Sequence, residues 1–333
     1  MSVMVGVDIG GTKVALGLVG EDGSLHGDAR EDVTLTGGDA VFVEGLIGSV
    51  RRAVAESREE VLGIGLGCAG TIDSARGTVI ESPNLPVRDL PLATLVRDAI
   101  GLPVVLDNDA NAAVWAEVQA GAARGLRHVV MLTLGTGVGG GLVLDGRLYR
   151  GAAGGAAELG HMVVMAGGEV CACGRRGCLE AYASGTALQR TAERIADAVG
   201  RGLVEEGKGA DYGHGLLRLH RQDRLSGESV GALALEGDAA AGNAVFEVSR
   251  WLGVGLANVA NVFNPEMIVV GGGLSRLGDL LLEPAREILR RTALHPSGDA
   301  QVAIAELRNA AGVVGAGLVA WEEHRSVARV GRP

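Results

Sequence analysis

The chain has 333 residues, 47% of them hydrophobic, with a formal charge of −10 and a pI of about 5.3. That apolar content excludes wholesale disorder, and the length accommodates two domains with cores of their own. An acidic balance with no basic block argues against a nucleic-acid backbone or an anionic membrane as partner, and no long apolar run without turn-forming glycines suggests a membrane span.

Met1 leads directly into the apolar run Val3 to Val7 with no basic leader, which points to the cytoplasm. From Val3 to Val19 the pattern reads strand, glycine turn at Gly10-Gly11, strand, closing at Asp22-Gly23. Helical spacing follows over Val41 to Glu56, a strand over Val61 to Cys68, a helix over Leu92 to Ile100, a buried strand over Pro103 to Leu106 and a helix over Asn111 to Gln119. Val129 to Leu144 then repeats the opening plan, with glycines at 135, 137 and 139 to 141 and a closing Asp145-Gly146. Ser184 to Val199 reads as a helix, and the glycine-rich, charged stretch 200–228 as a loop or variable insertion whose His214 and His220 are solvated. Ala239 to Asn261 is a long helix, and Met267 to Val270 a strand running into Gly271-Gly272-Gly273. Gly312 to Trp321 is a last apolar helix, followed by a polar tail that frays.

This order is α/β with parallel strands, and the echo between Val3–Val19 and Val129–Leu144 implies a duplicated domain with a cleft between the halves. The expected partition is 1–110 with 302–323 as a small domain, 111–301 as a large one, and 324–333 as a flexible tail. Each glycine turn presents backbone N–H groups to one kind of ligand, so two such turns suit a polyphosphate. The strand, glycine turn and helix around Gly272 and Gly273 form a third site of that kind.

Three of the four cysteines lie in Cys171-x-Cys173-x4-Cys178, ten residues after His161. Three thiolates and an imidazole are the ligand set of a closed structural zinc site, and disulfides are not expected in the cytosol. A metal that fixes His161 also fixes Glu158 three residues before it, and Cys178 does the same for Glu180. Cys68, alone, reads as a small buried residue. The turn Asp107-Asn108-Asp109 ends a strand and opens a helix, where ligands of α/β sheets bind. Asp109 there is a candidate base for a substrate hydroxyl that attacks phosphorus; the competing reading is a simple helix cap. Segments around Gly70 and Asn84 reach the same region or serve as turns. With aromatics at 3%, a hydroxyl-rich ligand suits the chain better than a flat ring.

These motifs resemble the ROK sugar kinases of the actin-like ATPase superfamily, whose fold is a duplicated ribonuclease H-like α/β unit. The resemblance rests on Asp8-Ile9-Gly10-Gly11-Thr12-Lys13, Asn108-Asp109-Ala110-Asn111-Ala112, the 134–141 glycine run, Glu158-x-Gly160-His161, the cysteine cassette through Glu180 and Gly271-Gly272-Gly273. It spans nearly the whole chain and is nearest to bacterial ATP-dependent glucokinases, including Tyr182-Ala183-Ser184-Gly185. It implies phosphorylation of a hexose 6-hydroxyl in glycolysis, with Asp109 as general base and Gly70, Asn84, Asn108, Asp109, Glu158, His161 and Glu180 around the sugar. Asp8, Gly10, Gly11, Thr12, Lys13, Thr136, Gly137, Gly272 and Gly273 would form the ATP site, with Asp8 near Mg2+, and His161, Cys171, Cys173 and Cys178 would hold Zn2+. If one imidazole nitrogen of His161 binds zinc, the other is an N–H donor toward the sugar. A homodimer or higher homo-oligomer is implied. Asp107 departs from the glutamate of many relatives. N-acetylmannosamine and N-acetylglucosamine kinases use the same groups, polyphosphate is an alternative donor, and sugar-responsive repressors share the fold; a zinc hydrolase would need an open metal position.

Overall fold

The computed structural model describes residues 1–10, 13–32, 38–82, 85, 87–203 and 211–330. β1 (Ser2–Ile9) and β2 (Val14–Val19) form an antiparallel hairpin extended by β3 (Arg30–Asp32), and α1 (Asp39–Glu56) leads into β4 (Glu60–Cys68), parallel to β1. Three short strands, β5 (Thr71–Asp73), β6 (Thr78–Glu81) and β7 (Arg88–Leu90), make a small antiparallel sheet before α2 (Leu92–Ile100). β8 (Val104–Asn108) joins β4 in parallel and passes straight into α3 (Asp109–Ala120). The echo then begins with β9 (Val129–Leu134), β10 (Val138–Leu144) and β11 (Arg147–Leu148). Five helices follow: α4 (Glu180–Ala183), α5 (Gly185–Gly200), α6 (His214–Arg221), α7 (Gly227–Leu235) and α8 (Ala239–Phe263). β12 (Met267–Gly271), α9 (Asp279–Thr292), β13 (Gln301–Ile304) and α10 (Ala311–Val330) complete the order.

The two five-stranded sheets have the orders β3-β2-β1-β4-β8 and β11-β10-β9-β12-β13. In each, three antiparallel-type strands come first in the chain, then two strands separated by a helix, then a closing helix. The same plan twice is the duplication that the glycine turns foreshadowed.

Residues 1–131, 141–157 and those from Ala305 onward form one compact unit; 132–140 and 158–304 form another. In the first, Phe42, Leu46 and Val50 of α1 bury themselves against Val5, Val7, Ile64 and Leu66 of the sheet. α10 covers strands of the same sheet where Gly6 and Gly65 lack side chains, because a Cβ at either would strike the carbonyls of Val313 or Ala316. The same unit takes in α3, beyond the expected boundary at 110, because Gly315 of α10 lies directly on the Ala112 backbone. Glu117, on α3 and 0% exposed, accepts hydrogen bonds from the N–H groups of Ala122 (2.8 Å), Glu306 (3.1 Å) and Leu307 (2.9 Å). A buried carboxylate is tolerated because three amides replace its water.

Two expectations are corrected. The 200–228 stretch contains α6 and the start of α7, with Leu216 fully buried and Ser226 and Ser229 forming a capping box; residues 204–210 lie outside the described ones. The polar tail is helical to Val330, steadied by Arg325, which pairs with Glu322 (2.9 Å) and Glu21 (3.4 Å). His214 and His220 are solvent-facing and lie beside Asp211 and Asp197.

Candidate active site

In the first unit the strand ends gather the candidate catalytic groups. Asn108 closes β8 in an extended conformation and caps α3: its Oδ1 accepts from the N–H groups of Ala110 (2.9 Å) and Asn111 (3.2 Å). Its Nδ2 donates to the Gly70 carbonyl at 3.1 Å. Gly70 has φ of 129°, a backbone region that favours glycine, and a Cβ there would collide with the Glu81 carbonyl. The capping is therefore done by Asn108, and Asp109 stands at the first helical position, its Oδ1 accepting from Ala110 N–H at 2.9 Å. Asp109 therefore shares the helix start with Asn108, and its charge is felt by Asp8.

Asp8, near the end of β1, is mostly buried, and burial followed by the charge of Asp109 pushes its pKa up to about 6, with Lys13 opposing. Its carboxylate rests on Gly312 at the start of α10, where any side chain would displace it. Cys68, at the end of β4, is buried beside Asp8 and Asp109, and burial with the same two charges raises its thiol to about 12. It is an inert small core residue, as its sequence context suggested. Gly10 N–H bonds the Lys13 carbonyl at 3.1 Å, which closes the β1–β2 turn. Gly11, Thr12 and Asn84 lie outside the described residues.

Asp107, which sequence reasoning treated as a packing position, is a buried hub. It is 2% exposed; its Oδ2 accepts from Arg150 Nε (2.7 Å) and Nη2 (2.6 Å), and its Oδ1 from Asn108 N–H (2.8 Å) and Asn111 Nδ2 (3.0 Å). Arg150 carried no signal in the sequence, being separated from Asp107 by β9 to β11.

The second unit holds the candidate metal ligands. The donor atoms of His161, Cys171, Cys173 and Cys178 all lie within 4.8 Å of one another. Cys171 Sγ is 3.7 Å from His161 Nδ1, and Cys173 Sγ is 3.8 Å from Cys178 Sγ. Tetrahedral ligands at zinc distances are about 3.5–3.8 Å apart, so the set fits that ion. Burial raises the thiols of Cys171 and Cys178, whereas a hydrogen bond from the Arg175 backbone lowers that of Cys173. A divalent charge would convert all three to thiolates. With Nδ1 turned to the sulfurs, His161 Nε2 faces outward, 3.9 Å from the exposed carboxylate of Glu158.

Glu180 opens α4 and is committed on both oxygens: Oε1 lies 3.2 Å from Cys171 Sγ, and Oε2 accepts from Val138 N–H at 2.9 Å. It reaches the β9–β10 turn only because Gly137 has no side chain to block it. Thr136 is held from the same direction: its carbonyl accepts from Thr186 Oγ1 at 2.9 Å, while that of Gly135 accepts from Gly185 N–H at 2.8 Å. Gly160, between Glu158 and His161, lets the Val138 carbonyl approach. Gly272, after β12, has φ of 81° and lies against the Leu134 backbone, and Gly273 starts a short 3-10 turn with open space around it.

A sequence model of the ROK family matches residues 4–323. The glucokinase of Streptomyces coelicolor is 39% identical over 331 residues, 97% of this chain and 98% of its own length. The crystal structure of a ROK family glucokinase from Streptomyces griseus, in complex with glucose and AMPPNP, is similar with a TM-score of 0.82 at 39% identity, covering 96% of this chain and 99% of that one. The xylose repressor of Caldicellulosiruptor bescii is 34% identical over 268 residues, 80% of this chain and 64% of its own length.

Proposed function

This chain belongs to the ROK family, and we propose that it is a glucokinase, transferring the terminal phosphoryl group of ATP to the 6-hydroxyl of glucose. The observation that carries this reading is the likeness to glucokinases along almost the full length of both chains.

In this reading Asp109 accepts the proton of the attacking hydroxyl. Asn108, pinned by Gly70 and by the amides of α3, presents a fixed polar edge to the sugar. Glu158 and the outward N–H of His161 serve the ring hydroxyls, and Glu180, already bonded to Val138 N–H and Cys171 Sγ, adds the remaining lone pairs of its carboxylate. Gly10, Gly11, Thr12, Lys13, Thr136, Gly137, Gly272 and Gly273 would line the nucleotide phosphates, with Asp8 near the magnesium that accompanies them. Magnesium, when bound, neutralises phosphate charge during transfer. Zinc, held by His161, Cys171, Cys173 and Cys178, has a structural part: it fixes the tautomer and direction of His161. Reduced thiols that assemble such a cluster suit a cytoplasmic protein, and no helix among the described residues is long and apolar enough to cross a membrane. A homodimer is the assembly that the family resemblance implies.

A sugar-responsive regulator is the second reading, favoured by the likeness to a xylose repressor. ADP release measured with Mg-ATP and glucose, N-acetylmannosamine, N-acetylglucosamine or no sugar separates the readings. A preference for glucose of about a hundredfold or more is expected. Preference for an N-acetyl sugar would retain the mechanism and change the substrate, and no sugar-dependent turnover would favour the regulator.

A further inference from the structure

The turn that carries Asp109 does not hold itself. Its N-terminal anchor is the side chain of Asp107, and the two carboxylate oxygens divide the task. Oδ1 takes the N–H of Asn108 and the side-chain amide of Asn111, one on each side of Asp109; Oδ2 takes two N–H groups of Arg150. A carboxylate that is 2% exposed needs partners of this strength in place of water. The Asn108 N–H belongs to the peptide plane that joins Asp107 to Asn108, so the position of Asp107 Oδ1 sets the direction in which Asn108 and Asp109 leave the strand. Arg150 is the charge that sets that position. It comes from the segment after β11, whose Gly154 packs directly on the Ile72 backbone, so the guanidinium is supplied by a fixed neighbour.

We propose that Arg150 is a positioning residue for phosphoryl transfer, acting through Asp107 to aim the Asn108-Asp109 turn. The inference rests on the reading of Asp109 as the base. Small displacements of a reacting group cost up to about a hundredfold in rate, so the expected signature is a loss of kcat rather than of substrate affinity.

The test is steady-state kinetics and thermal unfolding of Arg150→Met and Arg150→Lys, each in the native background and with Asp109→Asn. Arg150→Met is expected to lower kcat by about 10- to 100-fold while KM for ATP stays within about threefold. Arg150→Lys, which keeps the charge and loses the fork, should recover part of that loss. With Asp109→Asn already present, Arg150→Met should cost nothing further, because the group it aims is gone. A folded Arg150→Met with near-native kcat, or the same fold loss in both backgrounds, would overturn the proposal. Should Arg150→Met not fold, because Asp107 is left charged and unpaired, the neutral pair Asp107→Asn with Arg150→Gln carries the same comparison. Near-native turnover of Asp109→Asn alone would overturn the base assignment and this proposal with it, and is told apart because Arg150 is intact in that variant.

Discussion

At the scale of single residues, the acids Asp8 and Asp109 show how a site stores unfavourable charge. The folded pKa of Asp8, about 6, lies above its ordinary value of 3.8, so between those values the folded state binds the proton more tightly than the unfolded chain. Its contribution to stability is therefore full below about pH 4 and lost as the pH rises through 6, a change of at most about 3 kcal/mol. Asp8→Asn removes that dependence. In metal-free protein the variant should melt several degrees above the native chain at pH 7.5 and close to it at pH 4, while turnover disappears. A melting difference that does not change with pH would rule the argument out. The Asn108-Asp109 turn and the Cys3His cluster were legible in sequence because each set is nearly contiguous, and a turn or a spacing keeps its chemistry together; the helix cap, weighed there for Asp109, is made by Asn108. Arg150 was not legible, since its partner is reached only after a sheet has formed. Glu180 was read as a sugar group; its hydrogen bonds to Cys171 and Val138 depend on the bare backbone at Gly137, which no local pattern announces.

At the scale of elements, the same substitution should have opposite effects on two helices. Gly315, on α10, has no room: a Cβ there would drive into the carbonyl of Ala112 on α3. Gly48, on α1, has only the end of the Arg52 side chain nearby, at 3.7 Å. Gly315→Ala is expected to destabilise by about 1–3 kcal/mol through overpacking, and Gly48→Ala to stabilise by about 0.5–1 kcal/mol through backbone entropy. Chemical denaturation of both variants checks this, and equal signs would contradict it. Long helices and buried strands were legible from their periods. The strands β5 to β7, of three or four residues, are too short to show one. The helix expected after Gly273 was given no extent, although Leu281, Leu282, Ala285 and Leu289 form the buried stripe of α9, because Pro284 interrupts the pattern. Carrying the echo beyond the glycine turns would have found it: α2 lies between β4 and β8, and its counterpart between β12 and β13 is α9.

At the scale of the whole molecule, the duplicated plan carries unequal cargo. The metal ligands belong to the second unit alone, so stripping the metal is a test confined to that unit's contribution. Metal analysis should give one zinc per chain. After chelation, glucose affinity measured by calorimetry should fall at least about tenfold because His161 loses its anchor, and Asp109→Asn, used as a non-reacting background, should show the same fall. Undiminished glucose binding after complete removal would detach His161 from the sugar. Which half would carry the Cys3His cluster was plain from the cysteines, and a return of the chain to the first unit near residue 302 was expected; that α3 also belongs to that unit was not legible, since the contact between Gly315 and Ala112 joins residues about two hundred positions apart.

That return has a consequence for biosynthesis. The strands β1 and β4, bare of side chains at Gly6 and Gly65, are translated early, whereas their cover α10 follows the whole segment 158–304. At about 5–20 residues per second, roughly twelve to fifty seconds separate the two events. During that interval the nascent first unit has an open β-sheet face and a Glu117 carboxylate lacking two of its three amide partners, so chaperone occupancy and aggregation should concentrate on this half of the chain.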